Sequence, residues 1–134
     1  MDLSQYNFLA ILLAAVAGFG LGAVWYSKLL FAEAWMKETG ITMDSAKSMN
    51  VPKVMGLAFA LTLLAAAVFS LFLGPKPNFF FALGAGISAG LCWVTASLGI
   101  HYLFEGKSLK LFLINGGYNT AMFTIFGIVL GLWH

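Results

Sequence analysis

Arginine is absent from this chain, and all seven basic residues are lysines. No guanidinium fork is on hand to grip a phosphate or carboxylate at two points. Charge of either sign is scarce: charged residues are 9% of the chain, against roughly one quarter in a soluble domain. A fold so poor in charge has no means of covering itself with a wettable surface. Its net charge of +2 is small and scattered, which argues against a nucleic-acid partner. Cys92 is the only cysteine, so an intramolecular disulfide is excluded and a thiol-redox pair is missing. It reads as a small apolar packing residue.

A further absence bears on function. No Asp, Glu or Lys interrupts the stretches Leu3–Ser27, Val54–Pro75, Pro77–Phe104 and Leu111–His134. Proton-coupled pumps and exporters keep an acid at membrane depth, and none is present. Metal-ligand spacing is also lacking, because Cys92 and His101 are turned to opposite faces of one helix. Neither a Ser–His–Asp set, nor a glycine-rich phosphate loop, nor paired carboxylates occur. The expectation is therefore no catalytic residue, no metal, no cofactor and no enzyme activity.

What is present is hydrophobic length. Apolar residues make up 61% of the chain, and a hydrocarbon core about 30 Å thick is crossed by ~20 apolar residues wound as a helix. The four uncharged stretches predict transmembrane helices at about 6–27, 53–73, 79–104 and 111–133, forming one domain over residues 1–134. The fold class is all-α, an integral membrane bundle of four transmembrane helices. Asp2 is the only charge ahead of the first run, which lacks the positive start of a signal peptide, so an uncleaved first helix is expected.

Six lysines (Lys28, Lys37, Lys47, Lys53, Lys107 and Lys110) fall in the first and third loops, and only Lys76 falls elsewhere. The positive-inside rule then places those loops in the cytoplasm and both termini outside. The expected location is the cell (inner) membrane, multi-pass. Within the long first loop, Leu29, Phe31, Ala32, Trp35 and Met36 gather on one side at 100° per residue, with Glu33, Lys37 and Glu38 mostly opposite. This predicts a short amphipathic helix over 28–39, lying in the headgroup layer with Trp35 as anchor. Thr42 or Asp44 is placed to cap a second short turn, and Pro52 suits the first turn of the next long helix.

Lipid gives apolar helices little reason to associate, so small residues and polar contacts must do it. Helix one carries Ala14, Gly18 and Gly22 in one stripe. Helix three carries two stripes over 100° apart, Gly86 with Gly90, and Ser88, Cys92, Thr95 with Gly99. Two stripes imply two close neighbours, making helix three the expected most enclosed element. Helix four gathers Gly117, Thr120, Thr124, Gly127 and Gly131 on one side and Asn115, Asn119, Met122, Phe126 and Trp133 on the other, with Tyr118 at the edge. An echo of Gly20–Val24 in Gly90–Val94 hints at a parallel repeat of two hairpins.

The remaining polar residues cluster toward one end. Thr95, His101, Asn115, Tyr118 and Asn119 are expected to form a cytoplasm-facing polar pocket, with Asn119 and Thr95 about 13–15 Å from the loop at 1.5 Å per residue. Trp25, Tyr26, Trp35, Glu105 and Lys107 supply interfacial and loop contacts around it. The same amides also serve a purely structural reading, cross-linking helices by hydrogen bonds.

Two segments carry a resemblance. The first is Gly22-Ala23-Val24-Trp25-Tyr26-Ser27 with Leu30-Phe31 and Ala34-Trp35-Met36. The second runs from Trp93 and Thr95 through Tyr102-Leu103-Phe104-Glu105-Gly106-Lys107 to Leu111-Phe112-Leu113-Ile114-Asn115-Gly116-Gly117-Tyr118, closing with Gly127-Ile128-Val129-Leu130-Gly131-Leu132-Trp133. In order and spacing the chain resembles the domain of unknown function 1761 family, small prokaryotic membrane proteins. The resemblance implies a four-helix membrane protein and no activity. Its signature residues fall here on Trp25, Tyr26, Trp35, Glu105, Asn115 and Tyr118, and Glu105 and Lys107 with Asn115 equally suit a fixed turn pinning helix three to helix four.

Two function classes follow. One is a non-catalytic membrane component, an accessory subunit or lipid-binding scaffold. The alternative is a small oligomeric channel or carrier for a neutral solute or ion, lined by Thr95, Asn115, Asn119 and Tyr118. The expected partners are the lipid bilayer and either further copies of the chain, as a homo-oligomer, or a partner membrane protein.

Overall fold

A computed structural model describes residues 2–134, and it is all helical. Four helices are long and apolar enough to cross a membrane: Phe8–Trp25, Val51–Leu73, Phe79–Glu105 and Leu109–Leu132. We label the first α1 (Phe8–Trp25) and the two helices of the long loop α2 (Ala32–Thr39) and α3 (Met43–Lys47). The second long helix is α4 (Val51–Leu73), and the third comprises α5 (Phe79–Ser88) and α6 (Ala96–Glu105). The fourth is α7 (Leu109–Leu132).

The helix starts follow from capping chemistry. The side chains of Asn7, Asn50, Asn78 and Ser108 each accept from a backbone N–H of the first turn of α1, α4, α5 and α7. Thr42, rather than Asp44, caps α3 in a reciprocal box with Ser45. Pro52 lies in the first turn of α4, where its missing N–H is harmless. α6 ends at Gly106, whose φ of +70° suits glycine, and Lys107 N donates to Tyr102 O at 2.9 Å to fold the short turn into α7.

The helix in the first loop begins at Ala32, later than the amphipathic pattern suggested. Residues 28–31 form turns instead, with Phe31 N donating to Trp25 O and Ala32 N to Ser27 O, both at 3.1 Å. Those bonds swing the chain back over the end of α1. Leu29, counted on the apolar side, is left exposed.

The central element is α7, a correction to the expectation that helix three is most enclosed. It packs against α1, α4 and the whole third long helix, whereas the third long helix packs mainly along α7. The reason lies between α5 and α6, where residues Ala89–Thr95 form a π-helix. Gly90 and Thr95, 140° apart on an α-helix, come onto one face when a π turn of i→i+5 intervenes. Thr95 Oγ1 indeed lies 2.6 Å from Gly90 O. The two small stripes thus merge into one seam, and a single neighbour satisfies both. A Cβ on Gly86 would collide with Phe123 O and one on Gly90 would sit 2.6 Å from Thr120 Cα, so the backbones of α5 and α7 are in direct contact. Ser88 and Cys92, assigned to the second stripe, are exposed. The echo between Gly20–Val24 and Gly90–Val94 also pairs unlike conformations, regular α in the first and π in the second.

Toward the other side, α1 sets Gly18 against α7. A Cβ on Gly18 would meet Met122 Cγ and Phe126 Cε1 at 2.9 Å. Phe126 is fully buried at this junction, with Ala10, Ala14 and Ala66 also at 0% exposure. Phe69 of α4 packs edge-on against Phe123 with ring centroids 5.7 Å apart. The core is therefore densest at the half of the bundle near Pro77 and His134, and thins toward α2.

Candidate functional site

Where the packing thins, a groove of about 880 Å³ opens between α1, α4 and α7, with α2 across one end. Pockets that hold small ligands span roughly 300–1,000 Å³. Most of its wall is apolar: Met55, Ala58, Leu61 and Ala65 from α4, Phe19 from α1, and Trp35 and Met36 from α2. The amphipathic pattern of α2 explains that arrangement, since Ala32, Trp35 and Met36 face the groove while Glu33 and Lys37 are exposed.

One wall is polar. Tyr26, Asn115, Tyr118 and Asn119 line it together. The Tyr26 hydroxyl donates to Asn115 Oδ1 at 2.6 Å, and Asn115 Nδ2 donates to the Tyr102 hydroxyl at 2.8 Å. Asn115 therefore binds the end of α1 to α6 through α7. Beside it, Trp25 Nε1 donates to Ile114 O at 2.9 Å, and its ring sits against Gly117, where a Cβ would come within 3.0 Å. Gly117 thus serves the α1 side of α7 and not the small-residue seam assigned to it. The Tyr118 hydroxyl donates to Gly18 O at 3.0 Å, inside the gap that Gly22 leaves for its ring.

Aromatic packing fixes this end. Tyr26 meets Trp35 edge-on with centroids 5.9 Å apart, and meets Tyr118 edge-on at 5.5 Å. Trp35 thereby docks α2 onto the α1–α7 junction.

Asn119 stands apart in its hydrogen bonding. Its Nδ2 donates to Asn115 O at 2.8 Å, one turn back on α7. Its Oδ1 has no hydrogen-bond partner among the described residues and is not sealed off, since every buried side-chain N or O there has a partner. The amide oxygen is open to the groove.

The five residues expected to share a pocket divide into three groups. Asn115, Tyr118 and Asn119 come together on the groove wall. Thr95 lies on the opposite side of α7, buried, with its Oγ1 2.9 Å from Gly116 O and 3.1 Å from Thr120 Oγ1. The π turn puts it there, in the α5–α7 seam. His101 is exposed and outside the groove. Glu105 and Lys107 are likewise exposed at the α6–α7 turn. Tyr26 and Trp35, expected only as interfacial contacts, line the groove itself. Met49, Met55 and Thr62 were not singled out from the sequence. Met49 precedes α4, and α4 carries no polar stripe to mark its groove face, so only the tertiary arrangement reveals these residues.

No group of three or more His, Cys, Asp or Glu that could hold a metal ion occurs among the described residues. The family described as "Protein of unknown function (DUF1761)" matches residues 9–131, and the chain belongs to it. Neither a curated protein nor a solved structure matches the chain.

Proposed function

We propose that this member of the DUF1761 family is a multi-pass protein of the cell (inner) membrane, a non-catalytic scaffold that holds a membrane lipid in the groove between α1, α4 and α7. The observation that carries this reading is the groove: about 880 Å³, walled by apolar side chains of membrane-length helices, with amides and phenols along one side. Such a lining suits an amphiphile, whose chain replaces bilayer contacts and whose polar part meets the amides. None of the groove's polar groups is a carboxylate, amine, imidazole or thiol, which favours binding over acid–base or nucleophilic chemistry.

In this reading the loops bearing Lys28, Lys37, Lys47, Lys53, Lys107 and Lys110 face the cytoplasm and both termini lie outside. α2 rests in the headgroup layer, its Glu33 and Lys37 toward water, and roofs the groove. A second copy or a partner membrane protein would pack on the outer face of the third crossing, where Leu91 and Trp93 are exposed. The oligomeric pore is less well supported within one chain, because Thr95 and Asn119 are on different sides of α7.

The test is retention of lipid. The protein, reconstituted in nanodiscs of mixed phospholipids and acylglycerols, is released into detergent and weighed intact. A lipid adduct on each chain is expected for the parent and a clear loss of it for Ala58→Trp, whose indole projects into the groove and obstructs it. Identical adducts on both proteins would rule out the groove as the binding site.

A further inference from the structure

Resting on that reading, we infer that the groove selects an uncharged lipid whose head donates a hydrogen bond, a hydroxyl-bearing acylglycerol, with Asn119 as the residue that reads the hydroxyl. Three observations converge. The first is the open Asn119 Oδ1. Asn119 stands ten residues into α7, about 15 Å along its axis at 1.5 Å per residue. At that depth an unmet acceptor is costly, and a ligand that only accepts, such as a simple ester or a quinone, leaves it unmet. A hydroxyl supplies the missing donor and accepts in return from the second Nδ2 hydrogen of the same amide.

The second is charge. No Lys, His, Asp or Glu lines the groove, so an anionic phosphate or carboxylate head would enter with nothing to compensate it. The third is the packing of the rings. Quaternary ammonium groups are held between aromatic faces that stand apart to admit them. Here Tyr26 packs edge-on against both Trp35 and Tyr118, with centroids 5.9 and 5.5 Å apart, so no gap between these rings is left to sandwich a choline head. Anionic, cationic and acceptor-only heads are thereby disfavoured, and a neutral hydroxyl head remains.

The experiment compares lipids that share one chain. The full-length protein in detergent is incubated separately with 1-oleoylglycerol, methyl oleate and dioleoyl phosphatidylglycerol at equal concentration, and adducts are counted by native mass spectrometry. The 1-oleoylglycerol adduct is expected to exceed that of methyl oleate about tenfold, the size of one well-made buried hydrogen bond. Asn119→Leu should bring the two to parity, and Ala58→Trp should weaken both. The ligand comparison on the parent protein stands even where Asn119→Leu fails to fold. Equal retention of 1-oleoylglycerol and methyl oleate overturns the hydroxyl assignment. A preference for phosphatidylglycerol, whose anionic head also carries hydroxyls, overturns the uncharged-head assignment, and either result leaves the groove as a lipid site. No adduct with any of the three overturns the lipid site itself.

Discussion

The Tyr26 hydroxyl donates to Asn115 Oδ1 at 2.6 Å across 89 positions of sequence, and the same amide donates onward to Tyr102 at 2.8 Å. One side chain of α7 thus ties together the end of α1 and the last turn of α6, beside the mouth of the groove. Interhelical hydrogen bonds of this kind are the means by which apolar helices hold a fixed arrangement in lipid.

Replacing Asn115 with Leu removes both bonds and leaves two tyrosine hydroxyls without that partner. The expected loss is about 1–3 kcal/mol, from roughly 0.6–1.7 kcal/mol per membrane hydrogen bond. Unfolding midpoints in mixed micelles of rising dodecyl sulfate content check it. Tyr26→Phe should cost about half as much, because it removes one bond while Asn115 keeps the other.

The α5–α7 seam predicts a sharp contrast between two glycines of one helix. Gly86→Ala places a Cβ against Phe123 O, and the helices must separate, at a cost of about 1–3 kcal/mol. Gly84→Ala meets nothing within 4 Å and should gain up to about 1 kcal/mol from helix propensity. The same unfolding titration distinguishes the two, and equal shifts would contradict the seam.

Deleting an exposed residue of the π segment should be tolerated. Removal of Leu91, half exposed, turns the i→i+5 relation of Gly90 and Thr95 into i→i+4 and keeps both on the α7 side. Removal of exposed Ser97 from regular α6 instead rotates Gly99 and Tyr102 by about 100° relative to Thr95, pulling Gly99 off the Phe112 ring and Tyr102 off Asn115. Gel filtration and thermal melts in detergent should show a parent-like protein for the first deletion and an aggregated one for the second.

The orientation proposed from the lysines is testable in cells. With Cys92 changed to Ser, Asn78→Cys should react with a membrane-impermeant maleimide added outside. Lys107→Cys should react only after the membrane is opened. The reverse pattern would invert the topology and turn the groove's α2 end outward.

Much of this architecture is legible in the residues themselves. Uncharged runs of helical length locate the four long helices, because a span must be apolar along its whole length whatever it packs against. Thr42 and Pro52 mark helix starts, since capping and first-turn preferences are local chemistry within one turn. The apolar face of α2 follows from its own periodicity, and the bias of the lysines supplies the orientation proposed above.

Other features depend on contacts between distant segments. The π turn at Ala89–Thr95 has no signature of its own; its formation lets Gly86, Gly90, Thr95 and Gly99 all face α7, and a strict 100° wheel therefore splits one seam into two. Projection also grouped Thr95 and His101 with Asn115, because depth along a helix is readable from sequence while azimuth beyond a helix irregularity is not. The groove is decided later still. It exists because α7 packs closely on α1 and the third long helix while α4 meets them mainly at the far half of the bundle. Sequence determined which segments are helical and apolar; the small-residue contacts of the assembled bundle decided which polar side chains meet and where space was left between them.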